Sequence, residues 1–389
     1  MVRHLYSFFT SRNSLAIGTA FFILGFLFGN WATLIPFVKS RFQIDDGILG
    51  LILLCMPLGA MAFNPFAAIL IQKFSIQRMT ISGMIIISFA YMLPLLVYDL
   101  ILLPLSLIFV GISMTLLNIS ANTSATNFER FYNKNILATC HGMFSVGLMI
   151  GSLMRSFTLL FQINESNHMI FMGGLALLLS MITGKVILNL PDLKKEKTEN
   201  HPKSVKMLLP SGSLLGIVII SLCINMTEGS ITDWASVYMK EIVHSSPFFV
   251  GWGLFGYSFF MAIGRFFGDG IIPVYGKNSV LVYGGCLALI GLIIVIFFPT
   301  TLVAILGFAF IGLGVSCGSP ILYGSASRYP GLPDSGGLAV MNTYAMGGFL
   351  MGPVIIGSIS NVSSLQVAFG FIVLLTVVWM LKSRIITLY

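Results

Sequence analysis

Long apolar runs recur along almost the whole chain, and each is long enough to cross a lipid bilayer. A helix needs about 20 apolar residues to span the hydrocarbon core. The hydrophobicity is continuous rather than alternating, which excludes a β-barrel, and in lipid only a helix otherwise satisfies its own backbone hydrogen bonds. The sequence therefore predicts an all-α membrane protein with twelve transmembrane helices, over residues 14–38, 47–72, 78–97, 100–126, 136–162, 168–189, 211–239, 248–272, 278–298, 300–326, 336–360 and 364–383.

Composition excludes several other classes of protein. The chain is 57% hydrophobic and only 9% charged, whereas soluble domains are about one-quarter charged. Its net charge of +8 comes without a basic helix, so nucleic acid is not an expected partner. The five cysteines lie in apolar runs without paired spacing, which predicts neither disulfides nor a metal site. The glycine pattern at 251–256 lies inside a predicted helix and does not indicate nucleotide binding. We expect neither a cofactor nor an enzymatic activity.

The loop charges predict the orientation in the membrane. If the N-terminus is cytoplasmic, sixteen lysines and arginines fall on the cytoplasmic side and only Lys39, Arg41 and Lys240 on the other. Cytoplasmic loops are enriched in basic residues. Both termini are therefore predicted to be cytoplasmic.

The two halves of the chain resemble each other. A polar stretch at 190–210, expected to be a cytoplasmic linker, separates an N-terminal bundle (1–189) from a C-terminal bundle (211–389). An offset of 201 residues aligns the halves, and the paired glycines mark expected close approaches of helices. These pairs are Gly50 with Gly251, Gly111 with Gly312, Gly147 with Gly348, and Gly151 with Gly352. Two repeats of six helices form a transporter architecture, with the site between them at mid-membrane.

Several stretches resemble the major facilitator superfamily, and within it the bacterial YbjJ-like group, which is distantly similar to fucose permease. They include GNWATLIPFVKSRF (29–42), CHGMFSVGLMIGS (140–152), EGSITDWASVYM (228–239) and GRFFGDGIIPVYG (264–276). The family's loop motif Gly-x-x-x-Asp-Arg-x-Gly is degenerate at residues 68–75. Ser152 stands where the antiporter signature has Gly-Pro.

The resemblance implies a secondary active transporter in a bacterial inner membrane. It is expected to work by alternating access, as a monomer. Buried titratable groups make the proton the expected coupling ion. The expected substrate is a small polar or amphiphilic solute, and a sugar or sugar derivative is the first candidate. The alternative is a proton-antiport exporter of drugs or metabolites, which the two departures from the family motifs disfavour.

Charged residues inside transmembrane spans are costly, and so they are functional candidates. Glu228 lies at mid-span, where poor solvation favours a protonated carboxyl, as a proton carrier needs. The alternative is a permanently protonated structural acid. Asp233 could pair with Lys240 or with an arginine of the N-terminal half. Arg155 could be that partner or extend to the interface, and His141 could exchange protons or serve only as a structural hydrogen-bonding group.

The remaining candidates have structural or substrate-binding roles. Arg265 and Asp269 lie one helical turn apart and are expected to pair with each other, locking the corner between the eighth and ninth helices and the cytoplasmic gate, with direct substrate contact as the alternative. Gly147, Gly151, Gly348 and Gly352 are expected at close helix contacts. Polar and aromatic side chains predict the substrate site, although a tryptophan is also typical of the membrane interface. These substrate candidates are Asn30, Trp31, Asn118, Asn122, Ser145, Trp234, Tyr257 and Tyr344.

Overall fold

The computed structural model describes residues 2–190, 210, 212–330 and 336–389, and within them it is helical without a β-strand. The helices are α1 (Val2–Thr10), α2 (Arg12–Phe42), α3 (Asp46–Lys73), α4 (Ile76–Ala90), α5 (Leu93–Leu96), α6 (Leu102–Tyr132), α7 (Leu137–Leu160), α8 (Glu165–Leu188), α9 (Gly212–Glu241), α10 (Trp252–Tyr275), α11 (Lys277–Phe297), α12 (Thr301–Val315), α13 (Gly318–Ala326), α14 (Gly336–Val362) and α15 (Leu365–Ile385).

Twelve spans among the described residues are long and apolar enough to cross a membrane, which confirms the number predicted from the sequence. α4 and α5 together form one span, Ile76–Leu96, and α12 and α13 form another, Thr301–Ala326. Because the number of spans is even, both chain ends lie at the same end of the bundle. We call this the terminal end, expected to be cytoplasmic, and the opposite one the far end.

The short helix α1 is an element that the sequence analysis did not predict. Its Phe8 is only 2% exposed, whereas Tyr6 is largely exposed. Phe8 packs on α2, where its ring closes over Gly18. An amphipathic helix of nine residues is too short to span a bilayer, so a search for long apolar runs does not find it.

The close helix contacts recur at the offset seen in the sequence. Gly111 packs on the carbonyl oxygen of Met56, and Gly312 packs in the same way on that of Tyr257. In each case a Cβ atom would clash with the backbone of the neighbouring helix. Adding 201 to the residue numbers of the first contact gives the residue numbers of the second, as a structural repeat requires.

The same offset relates two contacts between the halves. Gly50 of α3 packs on the Pro353 carbonyl of α14, and Gly251, before α10, packs on the Ser152 carbonyl of α7. Residue 50 is equivalent to residue 251 at this offset, and residue 152 is equivalent to residue 353. In one contact the glycine belongs to the first half and the carbonyl to the second, and in the other contact these roles are reversed. Such a reciprocal pair is expected when two similar bundles face each other about an axis along the membrane normal. The linker lies almost entirely outside the described residues.

Gly151 and Gly352 occupy equivalent sequence positions but differ in how much space surrounds them. A Cβ on Gly151 would meet the backbone oxygen of Phe26, whereas on Gly352 the nearest atom is the Ser230 hydroxyl at 3.0 Å. We expect Gly151→Ala to cost about 1–3 kcal/mol of stability through overpacking, and Gly352→Ala clearly less, because a side chain can move aside.

Thermal unfolding of the purified variants tests this difference. Gly174→Ala is the matched control, since the added methyl group would meet no atom of a neighbouring helix within 4 Å. Equal melting temperatures for Gly151→Ala and Gly174→Ala would contradict the prediction.

Candidate functional site

A cavity of about 490 Å³ lies between the two halves of the chain. The first half contributes α2, α3, α6 and α7 to its wall, and the second half contributes α9, α10, α13 and α14. Each half thus supplies four helices, in keeping with a site between two repeats.

The two walls of the cavity differ in chemistry. The N-terminal wall is mostly apolar and aromatic, with Phe21, Phe28, Met56 and Phe144 among its side chains. Its polar lining residues are Asn64, Thr115, Asn118 and His141. The C-terminal wall contains most of the polar groups: Asn225, Glu228, Thr232, Asp233, Arg265, Ser319 and Tyr323. A solute in this cavity therefore meets an apolar surface on one side and a polar, charged surface on the other.

Glu228 forms an ion pair with Arg265 inside this cavity. The Nη2 atom of Arg265 donates to Oε1 of Glu228 at 2.9 Å, and its Nη1 donates to the Ser145 hydroxyl at 2.8 Å. Arg265 therefore connects α9 of its own half with α7 of the other half. The expected pairing of Arg265 with Asp269 on the same helix stays a prediction, because the side chain of Asp269 lies outside the described residues.

Asp233 also lines the cavity, but its expected cation is engaged elsewhere. Lys240 donates to the Ser40 hydroxyl at 2.6 Å and to the Pro36 carbonyl at 3.1 Å. The predicted pair of Asp233 with Lys240 is therefore wrong. Both contacts of Lys240 lie on α2, so this lysine ties the two halves together at the far end.

Arg155 lies away from the cavity, at the far end of α7. Its Nη2 atom pairs with Oε1 of Glu165 at 2.5 Å, and its Nη1 donates to the Ile163 carbonyl at 2.7 Å. The prediction that Arg155 is the partner of an acid on the seventh span is wrong. Glu165 is the first residue of the next helix, only ten residues further on. This acid is close in sequence to Arg155 and pairs with it, so the arginine is not available to an acid of the seventh span.

Two of the predicted polar candidates reach the cavity from the first half. His141 is exposed to it and packs edge-on against Phe21, with ring centroids 5.2 Å apart. Asn118 is likewise exposed in the cavity and accepts a hydrogen bond from Asn122 at 2.5 Å. Asn122 thus orients Asn118 without itself lining the cavity.

The predicted aromatic binding residues do not line the cavity. Trp31, Trp234 and Tyr257 are all at most 1% exposed, packed between helices. Tyr344 packs with Leu214, Val218 and Val340 instead. These four substrate-binding predictions are corrected: a large ring in an interior helix is buried by packing as readily as it is presented to a solute.

Asn30 is also buried, in a polar chain that the sequence analysis did not foresee. Its Oδ1 lies 2.9 Å from Nε2 of His168, whose Nδ1 lies 2.8 Å from the Thr158 hydroxyl. His168 is 0% exposed. The chain joins α2, α7 and α8, and since an unpaired buried polar group costs about 1–3 kcal/mol, it fixes their packing. Asn30 therefore has a structural contact in place of the predicted substrate contact.

Several lining residues were missed by sequence reasoning. The pairing of Arg265 with Glu228 was not predicted, and Asn64, Asn225, Thr232 and Ser319 were not singled out as lining residues. A signal existed on α9, because Asn225, Glu228 and Thr232 are spaced by three and four residues. That spacing places polar groups on one face of a helix. Asn64 and Ser319 carry no comparable pattern.

Ionic and hydrogen-bonded contacts join the two halves at the far end. Lys39 of α2 lies 2.6 Å from Asp46 and 2.6 Å from Glu241, which belongs to the second half. Asp46 also accepts a hydrogen bond at 2.5 Å from Ser360 of α14. We call Lys39, Asp46, Glu241 and Ser360 the far-end lock. It joins both halves on the side opposite the termini.

Comparisons with known proteins agree with this architecture. The model of the Major Facilitator Superfamily matches residues 17–344, and the chain belongs to that family of transporters. It is 29% identical over 368 residues to an uncharacterised MFS-type transporter of Yersinia pestis, covering 95% of this chain and 94% of the relative. It is 26% identical to the membrane protein MosC of Rhizobium meliloti, covering 93% and 87%.

Solved structures share the fold at low sequence identity. A nucleoside transporter, NupG, superposes with a TM-score of 0.73 at 14% identity, covering 96% of this chain and 99% of that one. The fucose:proton symporter FucP of E. coli superposes with a TM-score of 0.64 at 16% identity, covering 95% and 97%. The predicted fold, two facing six-helix bundles of the major facilitator type, is confirmed.

Proposed function

We propose that the protein is a proton-coupled transporter of a small amphiphilic solute in a bacterial inner membrane. A sugar or sugar derivative is the first candidate for this solute. The cavity between the halves is the proposed binding site, exposed to each side of the membrane in turn. We further propose that it acts as a monomer and belongs to the YbjJ-like group that its motifs resemble.

The size and lining of the cavity support the substrate class. Its volume of about 490 Å³ falls within the range of about 300–1,000 Å³ typical of small-molecule sites. The amides of Asn64, Asn118 and Asn225 can donate to and accept from hydroxyl groups, while aromatic rings cover an apolar face. Two solved structures with this fold are described as a nucleoside transporter and a fucose:proton symporter.

The Glu228–Arg265 pair is the observation that carries the proton coupling. Glu228 can be neutralised either by Arg265 or by a proton, and the two compete for the same oxygen. Arg265 is held by Ser145 of the opposite half, so a movement between the halves changes how well it can hold Glu228. Proton binding is thereby linked to the conformational equilibrium.

Proteoliposomes loaded with a pH-sensitive dye test this proposal. Solutes from a panel of monosaccharides and nucleosides are added outside, with and without a pH gradient. We expect the transported solute to move protons, and the direction of that movement separates symport from antiport. Solute flux that neither moves protons nor responds to the gradient would contradict the proposal.

A further inference from the structure

Asp233 is an unpaired acid in the cavity wall. It belongs to α9 and lines the cavity together with Glu228 and Thr232. No described side chain forms a hydrogen bond or an ion pair with it, and no cation reaches it from its own helix. A carboxylate in a poorly solvated site without a partner is costly, so Asp233 is stable there either as a neutral acid or as a carboxylate bound to a cation.

The cations that could neutralise Asp233 are engaged elsewhere. Arg265 uses one terminal nitrogen for Glu228 and the other for Ser145. Lys240 is bound to α2, and Arg155 is paired with Glu165. Among the other titratable groups, Tyr91 at the end of α4 interacts electrostatically with Asp233, and His141 on α7 and Tyr323 on α13 line the same cavity. None of the three carries a permanent positive charge.

The ionised form of Asp233 has no balancing charge in the cavity. Arg265 neutralises Glu228, so an ionised Asp233 would leave one uncompensated negative charge on the polar wall. Opposite to it is the mostly apolar wall formed by residues such as Phe28 and Met56. A cationic group bound at Asp233 would restore the balance, with the carbon skeleton against the apolar wall.

We propose that the transported solute carries a protonated amine, and that Asp233 binds this ammonium group. The proposal rests on the proposed function and narrows its substrate to an amine-bearing solute, such as an amino derivative of a sugar. Glu228 keeps its separate role in proton coupling, because its charge is already matched by Arg265.

Matched amines and alcohols test the cation site without knowledge of the natural solute. The probes are n-alkylammonium chlorides from propyl to hexyl and the alcohols of the same chain lengths. Their binding to the purified full-length protein is measured by calorimetry and by thermal shift. We expect the ammonium probes to bind at least ten-fold more tightly than the alcohols. Asp233→Asn should abolish that preference while leaving alcohol binding unchanged.

The control variant is Asp99→Asn, which removes an exposed acid outside the cavity and should keep the preference. Equal binding of the two probe series, no binding of the ammonium series, or a preference that survives Asp233→Asn would overturn the proposal. Failure of the proposed function has a different signature. The purified protein would still prefer ammonium probes, but flux in proteoliposomes would move no protons.

Discussion

Replacing Glu228 by glutamine is expected to abolish accumulation of solute driven by a pH gradient, while exchange of solute across the membrane continues. Glutamine keeps the side-chain oxygen that accepts from Arg265 at 2.9 Å, and it imitates the protonated acid. It cannot release or bind a proton. The hydrogen bond to Arg265 and the shape of the cavity are retained, although the variant loses stability because Arg265 is left without its matching negative charge. Proton binding at this position no longer affects the equilibrium between conformations.

Two assays on the same proteoliposomes separate these effects. Uptake against a gradient, driven by an imposed pH difference, should fall to the level of empty liposomes. Counterflow between solute inside and outside needs no net proton movement and should retain most of its rate. Normal accumulation by Glu228→Gln under a pH gradient would place the proton site elsewhere.

Arg265 provides the internal control for this interpretation. Arg265→Gln leaves Glu228 without its cation, and removal of one partner of a buried ion pair is strongly destabilising. The double variant Glu228→Gln with Arg265→Gln leaves no unpaired charge and should recover much of the lost stability. Recovery by the double variant, without recovery of coupled uptake, would separate the structural role of the pair from its role in coupling.

The sequence predicted the fold because its signals are local and periodic. Each span can be recognised from its length and hydrophobicity. The glycine pairs at the offset of 201 mark backbone contacts that recur in both halves. Gly111 and Gly312 illustrate this, since both face a carbonyl oxygen of the equivalent neighbouring helix. Only a short amphipathic element such as α1 escapes a search for apolar runs.

The candidate site was predicted only in part, because ion pairing depends on how helices rotate and slide against each other. Glu228, Asp233, His141 and Asn118 were found, since polar groups within a span attract attention wherever they occur. The partner of Glu228 was not, because Arg265 lies 37 residues away and has an acid one turn further along its own helix. The tryptophans were wrongly predicted to contact the substrate. No local sequence pattern distinguishes a helix face that packs against other helices from one that lines the cavity.

In the far-end lock, a single lysine forms ion pairs with two acids from different halves. Lys39 lies 2.6 Å from Asp46 of its own half and 2.6 Å from Glu241 of the other, and only 14% of its side chain is exposed. Hydrogen bonds between charged groups contribute about 1.5–3 kcal/mol when they are shielded from water. Without the lysine, two carboxylates would face each other across the junction of the halves.

Lys39→Gln is therefore expected to shift the protein towards conformations that are open at the far end. A loss of about 2 kcal/mol corresponds to a change of roughly 30-fold in the ratio of closed to open conformations. The measurement is labelling of a cysteine placed at Ser319, which lines the cavity, in a variant without native cysteines. A membrane-impermeant thiol reagent is applied from the far side, and the rate of labelling should rise by about the same factor.

Lys185→Gln is the matched control, because this lysine is exposed near the terminal end of α8 and should leave the labelling rate unchanged. Restoring a positive charge with Lys39→Arg should return much of the slow rate, since an arginine can bridge two carboxylates. An unchanged rate in Lys39→Gln would mean that the apolar and backbone contacts, such as Gly50 with Pro353 and Gly251 with Ser152, close the far end by themselves. A raised rate that Lys39→Arg reverses would identify the shared charge as the group that holds the halves together on this side.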